Sequence, residues 1–123
     1  MSRQASRPLT SAERDLAEWM LEHGGREASL YLPQLRNAEA STWKCRCGCA
    51  SFNFVVDGAS AQPGVHILGD YVFGQGSDVV GIFIFSSHDV LSGVEVYGMG
   101  GAAPGTLPLP SELRPLQRAG SDS

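Results

Sequence analysis

The run Val79-Val80-Gly81-Ile82-Phe83-Ile84-Phe85 constrains the fold of this chain more than any other segment. It is apolar at odd and even positions alike, so a strand built from it must be buried on both faces. The turn residues Ser86-Ser87-His88-Asp89 follow, and Leu91-Ser-Gly-Val-Glu-Val-Tyr97 returns as a partner strand. The pair reads as an antiparallel hairpin whose first strand lies inside a sheet. Alternation along an extended chain sends Val80, Ile82 and Ile84 to one side and Val79, Phe83 and Phe85 to the other. Each set needs cover.

Cover for one set comes from upstream. Thr10 followed by Glu13 has the spacing of a capping box. Ala12, Leu16, Trp19, Met20 and His23 then recur at helical spacing, and Gly24-Gly25 closes the helix. A second, shorter helix is expected from Arg26 to about Tyr31, ended by Pro33, which disfavours helical geometry at Leu32. Helices first and hairpins afterwards predict an α+β domain of two layers. In it, N-terminal helices pack on one face of an antiparallel four- to five-stranded sheet. Two short helices cover only that face. The other is left to the C-terminal Leu107-Pro108-Leu109-Pro110 segment, to sheet curvature, or to another protein chain.

The cysteines are the only local signal of chemistry. All 3 fall in Trp43-Lys44-Cys45-Arg46-Cys47-Gly48-Cys49-Ala50-Ser51-Phe52. Trp43, Cys45 and Cys47 alternate with charged Lys44 and Arg46, the period of a half-buried strand. A two-residue turn at Gly48-Cys49 would set Cys47 opposite Ala50, Cys45 opposite Phe52 and Trp43 opposite Phe54. Every pair then matches in polarity, and Cys45 and Cys47 become small core hydrophobes. The functional alternative is a zinc or copper(I) site of Cys45, Cys47 and Cys49, completed by His66, with His88 next in line. Against it, a C-x-C pair in a regular strand holds its sulfurs too far apart to share an ion without a bend. The same spacing, roughly 6.6 Å between Cα atoms, is near the limit for a disulfide.

Between the two hairpins, Asp57-Gly58 is a turn, Ala59 to Pro63 a small-residue loop, and Val65 to Leu68 a third strand. Asp70 to Phe73 is a fourth strand or its continuation, and Gly74 to Asp78 a turn. Residues 1–8 are expected to be a loose leader, 9–115 a single domain and 116–123 a disordered tail.

Composition excludes several classes. With 123 residues the chain suits one domain, and 42% hydrophobic residues suffice to fold it. A net charge of −4, from 9 basic and 13 acidic residues, leaves no electrostatic footprint for nucleic acid or an anionic membrane. The polar first thirty residues carry no signal peptide, and the Val79–Phe85 run is too short to span a bilayer. An odd number of cysteines argues against a disulfide scaffold. The expectation is a cytoplasmic protein with reduced thiols.

Other signals have plainer readings. Adjacent Ser87, His88 and Asp89 suit a turn better than a triad, whose members must converge in space. Asp70 and Glu95 could be a carboxylate pair, and solvent-facing strand positions explain them equally well. Gly98-Met-Gly-Gly101 follows a strand but leads into Pro104 instead of a helix, which disfavours a phosphate loop. Phe83 and Phe85 lack the basic neighbours of an RNA-stacking platform. Leu107-Pro108-Leu109-Pro110 suits a covering strap better than a polyproline ligand.

The Cys45-Arg-Cys-Gly-Cys-Ala-Ser51 stretch, with Leu91-Ser-Gly-Val-Glu-Val-Tyr97 and Leu109-Pro-Ser-Glu-Leu-Arg-Pro115, resembles a group of small bacterial proteins of unknown function. In these a C-x-C-G-C-x-S stretch precedes an apolar hairpin ending L-S-x-L-E-V-Y and a proline-containing tail. The resemblance covers residues 9–115. It implies a stand-alone domain and transfers no catalytic residue. The first cysteine varies in that group, which implies too few thiols for a three-thiolate site. The expectation is therefore a non-enzymatic protein-interaction module, acting through a protein partner or a homodimer and needing no cofactor. The rival is metal binding through the cysteine cluster.

These two readings separate on the thiols. Protein purified without chelator should carry no metal by mass spectrometry and show 3 titratable thiols after denaturation. Stoichiometric zinc or copper with masked thiols would establish the rival. If Cys45 is a packing residue, Cys45→Ser should cost about 1–3 kcal/mol in urea denaturation, and Cys49→Ser almost nothing.

Overall fold

A computed structural model describes residues 5–42, 49–99, 101 and 103–116. Helix α1 spans Ser11–His23, capped at Thr10 by the expected box. The Glu13 amide donates to Thr10 Oγ1 at 3.1 Å, and the Thr10 amide to Glu13 Oε1 at 2.9 Å. Strand β1, Ser6–Arg7, precedes it and supplies a second partner. Arg7 grips Glu13 with two hydrogen bonds of 2.8 and 2.7 Å. Burial pushes the Glu13 carboxyl up, but the bonds from Arg7 and Thr10 outweigh it and hold the group below its ordinary value.

The buried stripe of α1 is Glu13, Leu16, Ala17, Met20 and Leu21. It is rotated from the expected one: Ala12 and His23 are exposed, and Ala17 and Leu21 take their place. Helix α2, Arg26–Ser29, follows, and then helix α3, Leu32–Arg36. Pro33 does not end a helix here. It occupies the first turn of α3, where its missing N–H is no loss.

Strands β2 (Ala38–Ser41), β3 (Phe52–Val56), β4 (His66–Phe73), β5 (Val80–Ser87), β6 (Val90–Gly98) and β7 (Arg114–Pro115) complete the chain. They and β1 form one antiparallel sheet of seven strands, ordered β1-β2-β3-β6-β5-β4-β7. The sheet thus has more strands than the four or five expected; β3, β4, β5 and β6 fall where strands are expected, whereas β2 does not. The edge strands are two residues long, too short to leave a periodic signal. Both edges end in such stubs, a common protection against pairing with other chains.

The first hairpin differs most from expectation. Phe54 lies opposite Ala40, not Trp43, and Ala38 opposite Val56. The partner strand of β3 therefore lies upstream of the tryptophan, in a register other than the one a turn at Gly48-Cys49 predicts. Ala38 and Ala40 are poor strand formers by composition. They are chosen here for size, being 3% and 0% exposed within the core. The pairings expected for Trp43, Cys45 and Cys47 fall outside the described residues.

The central hairpin matches its sequence except at the expected turn, where Ser86 and Ser87 extend β5, paired with Leu91 and Val90, and only His88-Asp89 connect the strands. Gly81 is opposite Tyr97, Ile82 opposite Val96 and Ile84 opposite Val94. On the other side of β5, Ile82 meets Tyr71 and Phe83 meets Asp70. Strand β4 is one continuous strand with an irregularity between Ile67 and Gly69, so the third and fourth expected strands are joined. Val80, Ile82, Ile84, Val94, Val96, Phe52, Phe54 and Tyr71 share one face and meet Leu16, Met20, Leu35 and Ala28 from the helices. Tyr71 Oη also donates to the Met20 carbonyl at 3.0 Å.

Among the described residues, the C-terminal Leu107-Pro108-Leu109-Pro110 segment does not lie over the opposite face, as one expectation had it: Leu107 packs against the helix-side core and Leu109 is exposed. Its turn at Pro110–Glu112 packs on α1, and Leu113 joins the core on the helix side. It carries too few apolar residues to span the sheet, and β7 ties it to the β4 edge. No helix among the described residues is long and apolar enough to cross a membrane.

One contact on that opposite face can be tested. A Cβ at Gly81 would sit inside the Tyr97 ring. Gly81→Ala should therefore cost about 1–3 kcal/mol. In a double-mutant cycle measured by urea denaturation, Tyr97→Ala should recover much of that loss. Additive effects would mean that the ring does not rest on Gly81.

Candidate interaction surface

Register fixes which side chains share the face away from the helices. From β5 these are Phe83 and Phe85, with Gly81 between them and the sheet end. Asn53 and Gly93 are paired there, and Glu95 and Asp70 lie opposite Phe83 on either side. Ile67 meets Phe85 across β4. Phe83 packs against Phe85 at 5.5 Å between ring centroids and against Tyr97 at 5.9 Å. The result is an aromatic strip crossing the middle of the sheet.

The strip is unevenly covered. Residues 60–64 line a hollow of about 240 Å³ with Asn53 and Phe85, and so lie over that end of the face. Phe85 is buried beneath them. Phe83 and Tyr97 are only half-buried. Met99 is 51% exposed at one end of the face and Ile67 41% at the other. A second hollow, of about 620 Å³, opens between Val72, Val79, Met99, Arg114, Pro115 and Leu116. Large apolar side chains left at the surface in one region mark a contact site more often than scattered ones do.

The expected site residues are dispersed. Cys45 and Cys47 fall outside the described residues. Cys49 is half-buried and its Sγ lies 3.4 Å from Ser51 Oγ. Ser51 in turn accepts the Val96 amide at 2.8 Å and donates to the Val96 carbonyl at 3.3 Å, in place of a ladder pair. His66 lies elsewhere. Val96 is opposite Ile82, and Ile82 is opposite Tyr71, five residues along β4 from His66. Those five residues and the three strand spacings from β3 to β4 separate Cys49 and His66 by roughly 20 Å. Ligands of one zinc ion sit about 2 Å from it. His66 is instead paired with Glu27 at 2.9 Å. His88 sits in the turn at the same distant end of the sheet. Among the described residues, no three His, Cys, Asp or Glu side chains converge.

Ser87 and His88 do touch, with Oγ 3.0 Å from Nδ1. The hydroxyl belongs to a residue only 3% exposed. The turn itself is unusual. His88 and Asp89 both adopt left-handed φ values, 51° and 64°, as a tight hairpin connection requires. Gln34 of α3 holds it, donating to the Asp89 carbonyl at 3.0 Å and accepting the Leu91 amide at 2.7 Å. Sequence reading missed Gln34, because a lone polar residue beside a proline carries no local mark of a contact 55 residues away.

Asp70 and Glu95 flank Phe83, two strand spacings or about 10 Å apart. The phenyl ring between them prevents their acting on a common proton. An open cleft of about 440 Å³ at the other end of the sheet is lined by Arg14, Arg36, Glu39 and Asp57 among others. Its charges balance, so it favours neither cations nor anions.

No family model matches this chain, and neither does any curated protein or solved structure.

Proposed function

We propose that this chain is a non-enzymatic, cytoplasmic protein-interaction domain that engages its partner through the sheet face opposite the helices. The observation that carries this reading is the half-buried Phe83–Tyr97 strip, continuous with exposed Met99, on a face that receives no helix among the described residues. Apolar area at a surface is costly in water, and burial against a partner recovers roughly 25 cal/mol per Å². The rival metal reading keeps Cys45, Cys47 and Cys49 as ligands, but His66 and His88 stand too far from Cys49 to complete the set.

A photo-crosslinking amino acid placed at Met99 should capture a discrete partner in cells. The same group at Glu18, exposed on the outer side of α1, should not. Met99→Lys should leave unfolding stability within about 0.5 kcal/mol, as for other surface substitutions, and abolish capture by a crosslinker placed at Ile67. Equal capture from Glu18, or none from either sheet position, would retire this face as the site.

A further inference from the structure

The chemistry around the second hollow says what kind of partner fits. Its floor and walls are Val72, Val79, Met99, Pro115 and Leu116, with Arg114 the one charged lining residue among the described residues. That guanidinium donates from Nη2 to the Gly74 carbonyl at 2.7 Å and keeps its charge, against which the nearby carboxylates must be counted. The surroundings are acidic. Exposed Asp78 directly precedes Val79 in the chain. Exposed Glu95 shares the face and lies four residues from Met99 along β6 and its continuation. Asp70 lies on the same face, two residues from Val72. No lysine or arginine belongs to β3, β4, β5 or β6, whose residues make the open part of the face. The whole chain is acidic as well, with a net charge of −4.

We infer that the hollow receives an apolar side chain from a partner polypeptide whose neighbouring residues are lysine or arginine. This rests on the interaction reading above and names the chemistry of its partner. The apolar residue fills the space between Val72, Val79 and Met99. The flanking cations meet Asp78 and Glu95, where complementary charge steers encounter and fixes orientation. A second copy of this chain fits badly, because a two-fold contact across this face would bring carboxylate against carboxylate.

The test is selection of a display library of random 14-residue peptides on the immobilised full chain. Enriched sequences should combine Leu, Ile, Met or Phe with Lys or Arg. A synthetic peptide from the selection, followed by fluorescence anisotropy, should bind about tenfold more weakly to Asp78→Lys/Glu95→Lys. It should weaken similarly between about 50 and about 500 mM NaCl. All substituted positions are exposed, and matching circular dichroism would confirm that the variants fold. Neutral or acidic peptides lost on Met99→Lys would overturn the basic partner and leave the face a docking site. Peptides indifferent to both Met99→Lys and the charge reversal would overturn both readings. An empty selection, or a dimer in light scattering that Met99→Lys dissociates, would overturn the inference.

Discussion

The β5–β6 ladder, from Val80 opposite Gly98 to Ser87 opposite Val90, is the interaction on which the remaining structure is assembled. β5 lies between β6 and β4, and both neighbours bond along most of its length. Its even-numbered side chains make the centre of the core, with Ile82 and Ile84 at 0% exposure. Full burial of one such side chain is worth about 1.5–3 kcal/mol, so this strand concentrates the fold's apolar stabilisation. Helix α1 docks on it and on β4, which fixes the helix layer to one side.

That asymmetry creates the rest of the problem. One strand with apolar side chains on both faces meets helices on only one among the described residues. The opposite face is met by two local devices. Gly81 lets Tyr97 lie flat across the ladder, so an aromatic ring covers backbone that has no side chain of its own. Residues 60–64 lie over Phe85 at the other end. Between these, Phe83 stays half-buried, and past Tyr97 the hollow by Met99 is open.

Local rules were legible wherever a feature is completed within a few residues. The Thr10–Glu13 box is written in four residues and was found. The Asp57-Gly58 turn is another case: φ is 53° and 83°, and Val56 and Ala59 bond across it. The β5–β6 hairpin was legible because few other structures can hide so many adjacent β-branched and aromatic residues. What failed depends on distant partners. Ala38 and Ala40 have little strand propensity, and only the helix layer above them explains why small residues are needed there. The cysteine run alternates in polarity, but alternation permits any register that keeps faces matched in steps of two. The real pairing of Phe54 with Ala40 was outside the register that a turn at Gly48 allowed. Pro33 reads as a stop because the residue before a proline avoids helical geometry, yet the same ring is well placed in a first turn. The site was half legible. The odd-numbered side chains of β5 followed from periodicity, whereas the hollow by Met99 draws its lining from β4, β7 and the residues just outside β5 and β6.

The acidic residues acquire meaning only through register. Scattered in sequence, Asp70, Asp78 and Glu95 are ordinary solubilising charges. In the sheet, Asp70 and Glu95 bracket one phenyl ring, and exposed Asp78 directly precedes Val79, which lines the apolar hollow. Such a rim keeps an uncovered apolar surface soluble and resists pairing with copies of itself, since like charges would be pressed together in a poorly hydrated contact. It does not oppose a partner of the other sign. On the interaction reading proposed above, the carboxylates that would oppose closure of the face on itself would also select what closes it.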